Sequence, residues 1–123
     1  MDVGVRKSGY VADAARTFPV GGIPEHSERL LRVTREALDT AISMVGEGVH
    51  LSDISHSIQR KAEEAGFSIV KELAGHGVGT ELHEPPEIPN YGEPGRGPIL
   101  RKNMTLAIEP MITLGSGEID MIG

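Results

Sequence analysis

The chain has 123 residues, with 12 Lys and Arg against 18 Asp and Glu, a formal charge of −6 and 38% hydrophobic residues. This composition supports one ordinary globular core and excludes a collagenous, disordered or disulfide-framed chain; with no cysteine, any metal must be held by carboxylate and imidazole. Scattered charges with an acidic balance leave no footprint for nucleic acid, no apolar run approaches the ~20 residues of a membrane span, and Met1 leads into Asp2 without a secretory leader, so a cytoplasmic location is the expectation.

Residues 2 to 20 read as a β-hairpin. Val3 and Val5 alternate, Arg6-Lys7-Ser8-Gly9 supplies turn chemistry, and Pro19 with Gly21-Gly22 ends the second arm. Pro24 suits a first helical position, and Leu30, Val33, Ala37, Leu38, Ala41, Ile42 and Val45 then recur on one face of a helix that Gly46 and Gly48 stop. A second helix is expected from a Ser52 cap, with Ile54, Ile58, Ala62 and Ala65 inward, a solvated outer face from Gln59 to Glu64, and Gly66 at its end. Phe67 to Val70 follows as a strand, then a Gly- and Pro-rich tract from Gly75 to Pro98, then a strand from Thr105 to Leu114 broken by Pro110. The core must be aliphatic, because only two Phe, two Tyr and no Trp are present. A tract as long as Gly75 to Pro98 is too long for an idle connection.

Three places carry candidate chemistry. Asp2 and Asp13 lie on opposite arms of the hairpin: a two-residue loop at Lys7-Ser8 sets them directly opposite, and a Gly9 bulge shifts them by one. Facing carboxylates repel, and a divalent cation removes the conflict. His76, in Gly75-His76-Gly77-Val78-Gly79-Thr80, has glycines on both sides, which allow close backbone approach and leave the imidazole unscreened as a metal ligand requires. The same run is no dinucleotide fingerprint, because Thr80 stands where the third glycine belongs. Glu109 interrupts an apolar strand, where a carboxylate is costly unless paired, protonated or metal-bound. His26, His50 and His56 read as surface residues.

Asp2-Val3-Gly4, Asp13-Ala14-Ala15-Arg16-Thr17-Phe18, GHGVG, LHEPPEIPNYG, GRGP and MTLAIEPM occur in one order over essentially all 123 residues. Together they resemble a type I methionine aminopeptidase. The resemblance implies an α/β (α+β) pita-bread fold, here partial, with a hairpin, two helices and then strands around a long Gly/Pro-rich loop; residues 1–123 would form part of the catalytic domain. It implies two divalent metal ions, Mn²⁺, Fe²⁺, Co²⁺ or Zn²⁺, and a nascent polypeptide as substrate. Asp2 would chelate one metal, Asp13 would bridge both, and His76 and Glu109 would bind the other. Glu109 would also move a proton, and His83 would hydrogen-bond the carbonyl oxygen as it becomes an oxyanion.

The departures matter as much. A fifth ligand, a bridging Glu on a later strand, has no counterpart; Glu118 lies too early to replace it. The preceding half-domain also has no counterpart, and with it most of the methionine pocket, of which Leu82 matches one wall. The expectation is therefore a fragment, inactive alone and self-associating through uncovered apolar surface, with Asp2 near a fraying end. A catalytically silent, self-associating module is the alternative.

Overall fold

In the computed structural model, residues 1–120 are described. The elements are β1 (Asp2–Lys7), β2 (Tyr10–Ala15), α1 (Glu25–Ser43), α2 (Leu51–Glu64), β3 (Ser68–Ile69), β4 (Ala74–Gly77), β5 (Glu84–Pro89), β6 (Leu106–Ala107) and β7 (Ile112–Thr113). They form three small antiparallel sheets, ordered β1-β2, β3-β7 and β5-β4-β6. No helix among the described residues is long and apolar enough to cross a membrane.

The core gathers on the inner faces of the two helices. Val33 and Ala41 of α1 meet Ile54, Ile58 and Ala62 of α2, with Phe67, Ile69, Ile88 and Leu100 closing the cluster, and Ala37 of α1 is buried as well. One Phe among these side chains matches the aliphatic core expected. The helix boundaries differ in detail. α1 ends at Ser43, before both glycines, so Val45 falls beyond the helix, and Ile42, within it, is half exposed. Ser52 is not the cap of α2; His50 holds that position without a side-chain bond. Gly66 does follow α2 in the left-handed region, with φ 81°, as a helix-ending glycine should.

Ser52 serves the Gly/Pro-rich tract instead. Its hydroxyl accepts from the Arg96 amide at 2.7 Å, while Asp53 Oδ1 accepts from Gly95 N–H at 2.7 Å and Gln59 Oε1 from Gly92 N–H at 3.1 Å. His56 Nδ1 donates to the Gly92 carbonyl at 3.0 Å and His50 Nδ1 to that of Gly97 at 3.3 Å. Both histidines are half-buried, which corrects their reading as surface residues, whereas His26 is exposed. Part of the solvated face is also in use, since Lys61 reaches Glu36 of α1 at 3.0 Å. The tract thus divides into β4, β5 and a strap tied to the first turns of α2.

The hairpin register differs from both expectations. Its loop is Ser8-Gly9, with φ 54° and 83°, the positive pair that a type I′ turn requires. Asp13 therefore pairs with Gly4 and Asp2 with Ala15. The shift is two residues, and because side chains alternate with a period of two, both carboxylates still share one face, as diagonal neighbours. Met1 and Arg16 exchange hydrogen bonds of 2.8 and 3.0 Å beyond Asp2, so the ladder does not fray there.

β4 lies between β5 and β6 and needs glycine on each side of His76. A Cβ on Gly75 would strike the Ala107 carbonyl, and one on Gly77 would strike the Pro85 carbonyl and approach Glu84 O to 2.8 Å. These are backbone neighbours and cannot step aside. Gly77→Ala is expected to cost about 3 kcal/mol, read as a lower melting temperature. Gly46→Ala, where the new methyl meets only the Val49 side chain at 3.7 Å, is expected to change stability by less than about 1 kcal/mol.

Candidate metal centre

Three residues far apart in sequence converge at β4. His76 Nε2 lies 3.4 Å from Asp13 Oδ2 and 3.2 Å from Glu109 Oε1. One ligand atom from each of Asp13, His76 and Glu109 falls within 4.8 Å of the others. β2 supplies Asp13, β4 supplies the buried His76, and Glu109 follows β6 at the Pro110 break. That break sends Leu106–Ala107 to the β4 sheet and Ile112–Thr113 to β3, leaving Glu109 at the corner between sheets.

The second nitrogen of His76 decides the first. Nδ1 stands 2.8 Å from the Gly77 carbonyl oxygen, which can only accept, so Nδ1 carries the proton. In the neutral tautomer so fixed, the lone pair is on Nε2, the nitrogen that faces the two carboxylates. Three acceptors facing one another are relieved by a proton on Nε2 or by a cation, and imidazole with carboxylate oxygens fits a divalent first-row ion. Burial pushes the Glu109 carboxyl above its ordinary range; the His76 charge opposes this, and Asp13 and Asp2 push it further up.

Asp2 stands outside the three-residue cluster and is exposed, but it lines the same cleft of about 880 Å³ as Asp13 and Glu109. His83 is exposed, with its ring centroid 4.3 Å from that of His76 in an edge-on arrangement of 61°. Leu82 packs towards Gly4 of the hairpin, 3.5 Å from where a Cβ would stand. Glu118 is exposed and outside the cluster.

Sequence reasoning passed over Asn90. It is fully buried and its Nδ2 donates to the Glu109 carbonyl at 2.9 Å, holding the backbone of that corner. The only signal was Pro110, which cannot donate to a ladder and so leaves the corner dependent on side-chain partners. Glu84 was also missed. Its Oε1 accepts from Glu81 N–H at 2.9 Å and from the Thr80 hydroxyl at 3.2 Å.

A sequence profile of Metallopeptidase family M24 matches residues 1–122. The chain belongs to metallopeptidase family M24. It is 48% identical to a methionine aminopeptidase of Clostridium acetobutylicum over 116 residues, covering 94% of this chain and 46% of that protein. Methionine aminopeptidase 1 of Bacillus subtilis gives 48% identity, with 94% and 47% covered. Among solved structures, the Thermotoga maritima methionine aminopeptidase superposes with a TM-score of 0.97 at 50% identity, over 98% of this chain and 49% of that one. A prolidase from Thermococcus sibiricus superposes at 0.75 with 30% identity, over 89% and 29%. The M24 chain thus has the mixed α/β architecture of pita-bread aminopeptidases, and spans about half the length of the curated relatives it matches. Divalent metal binding accords with the family and with the donor set.

The two hydrogen bonds to Glu84 hold its carboxyl below the ordinary value of 4.5, the Glu81 amide contributing most. A depressed folded pKa stabilises the fold above the unfolded value, and that contribution is lost as pH falls through the folded value. Glu84→Gln should therefore be slightly less stable than the parent at neutral pH. Urea titrations should converge once the medium is acidic enough to protonate Glu84 in the folded chain.

Proposed function

We propose that residues 1–123 form part of a methionine aminopeptidase catalytic domain, which removes the initial methionine from new polypeptides in the cytoplasm. The observation that carries this reading is the convergence of His76 Nε2 with the Asp13 and Glu109 carboxylates at 3.4 and 3.2 Å. Asp13, His76 and Glu109 would hold one divalent ion, and Asp2 with Asp13 a second. An ion bound there supplies positive charge that polarises a peptide carbonyl and lowers the pKa of water.

The chain's own groups supply the rest. The Gly77 carbonyl keeps the His76 ring in one orientation and one tautomer. Glu109, with its raised carboxyl, is suited to take a proton and return it to the leaving amine. His83, exposed beside His76, would donate to the peptide oxygen as negative charge grows there. No finding favours the silent module.

Mn²⁺ or Co²⁺ at a hundredfold excess over Kd should stabilise the chain by about 2.7 kcal/mol, a rise of roughly 10 °C in melting temperature, and Asp13→Asn should abolish the rise. An equal rise in the variant would remove Asp13 from the site. The 123 residues alone are expected to release no methionine from a Met-Ala-Ser peptide with these ions, because none of them supplies the bridging Glu that the resemblance implies.

Self-association is the second part of the proposal. Val3 and Val5 share one hairpin face with Tyr10 and are 45%, 52% and 68% exposed; apolar faces of this kind recruit partners. Sedimentation velocity should find a dimer or larger species, and a stable monomer would contradict this part.

A further inference from the structure

The loop between β4 and β5 runs from Val78 to His83 and is framed by Glu84, the first residue of β5. Gly79 N–H donates to the Glu81 carbonyl at 3.2 Å, while Glu84 Oε1 accepts from the Glu81 amide and the Thr80 hydroxyl. The Glu84 oxygens lie 2.9 and 3.1 Å from the point where a Cβ on Gly79 would stand, so a side chain there would displace the carboxylate. Gly79 and Glu84 therefore fit as a pair. Both hydrogen bonds fall on one carboxylate and close the loop on itself.

The same loop is where the hairpin attaches. Val11 N–H donates to the Gly79 carbonyl at 2.6 Å, which among the described residues is the one backbone hydrogen bond between hairpin and remainder. Leu82 covers the side-chain-free spot at Gly4, the residue paired with Asp13. Arg6 and Glu81 add an ion pair at 3.5 Å, too exposed to contribute much. His83 stands directly before Glu84, with its ring against His76.

We propose that Glu84 is a positioning residue for the candidate centre: its carboxylate, seated against Gly79, fixes the loop that holds His83 beside His76 and receives the hairpin carrying Asp2 and Asp13. It is not a fourth ligand, because its carboxylate is turned onto the Glu81 amide and the Thr80 hydroxyl and lies outside the Asp13–His76–Glu109 cluster. Its catalytic consequence rests on the metallopeptidase reading, whereas the loop geometry stands independently of it.

Amide exchange and imidazole NMR on the 123-residue chain test this. In the parent, the Val11 amide is protected and an Overhauser effect joins the His76 and His83 rings. Glu84→Ala should speed Val11 exchange at least about tenfold and erase the ring-to-ring effect, while the Ile54 and Ile58 amides in α2 stay protected. Glu84→Gln keeps an acceptor oxygen and should preserve both signals. Co²⁺ affinity by calorimetry should fall about tenfold in Glu84→Ala and remain near the parent's in Glu84→Gln.

If Glu84→Ala retains Val11 protection and the ring contact, the proposal is wrong. It is equally wrong if Glu84→Gln behaves like Glu84→Ala, because accepted hydrogen bonds would then not be the cause. Should Glu84→Ala lose protection at Ile54 and Ile58, Thr80→Ala, which removes one bond only, decides the matter by a partial gain in Val11 exchange or none. A parent chain that binds no Co²⁺ overturns the metal reading, while the exchange and ring signals still decide the positioning role.

Discussion

Everything at this site depends on one hydrogen bond, from His76 Nδ1 to the Gly77 carbonyl at 2.8 Å. It commits the imidazole's proton to the backbone and leaves Nε2 facing Asp13 and Glu109. A carbonyl partner on one nitrogen is what fixes the tautomer and ring orientation of a metal-binding histidine. Without that bond the ring could turn or donate from Nε2, and the two carboxylates would gain a neutral donor instead of a third acceptor.

The fold imposes this bond by crowding β4 from both sides. Gly75 and Gly77 let the strand approach Ala107 on one side and Pro85 on the other more closely than any side chain permits. His76 is thereby buried at the meeting point of hairpin, central strand and the Pro110 corner. The hairpin contributes Asp13 although its backbone touches the rest of the described residues through a single hydrogen bond. Precise placement of that carboxylate therefore depends on side chains, on Leu82 over Gly4 and on the frame that Glu84 gives the intervening loop. The cost is a cluster of like charges around Glu109, whose burial already disfavours its ionised form.

Much of this was legible in the sequence. Helix faces followed from apolar spacing, and the glycines around His76 and the break at Pro110 carried their meaning in their own chemistry. The identity of the site came from the order of the short strings, since neither Asp2 nor His76 is distinctive alone. The hairpin register was misread because Ser8 adopts a left-handed conformation that favours glycine, so the loop falls one residue later at each end than the Lys7-Ser8 reading. Ser52, His50 and His56 were misjudged for another reason: their partners lie 36 to 47 residues away on the strap, and no local pattern announces such pairs. Asn90 was hidden in the same way, inside the Gly- and Pro-rich tract, although its side chain is fully buried and bonds to Glu109, 19 residues on.

The most direct test of the central bond is a long-range proton–nitrogen correlation of the His76 imidazole during titration with diamagnetic Zn²⁺. Nδ1 should carry its proton throughout, and Nε2 alone should move to the position of a metal-ligated nitrogen. A spectrum in which Nδ1 shifts instead, or in which neither nitrogen responds while the ion binds elsewhere, would contradict the assignment of Nε2 as the ligating atom.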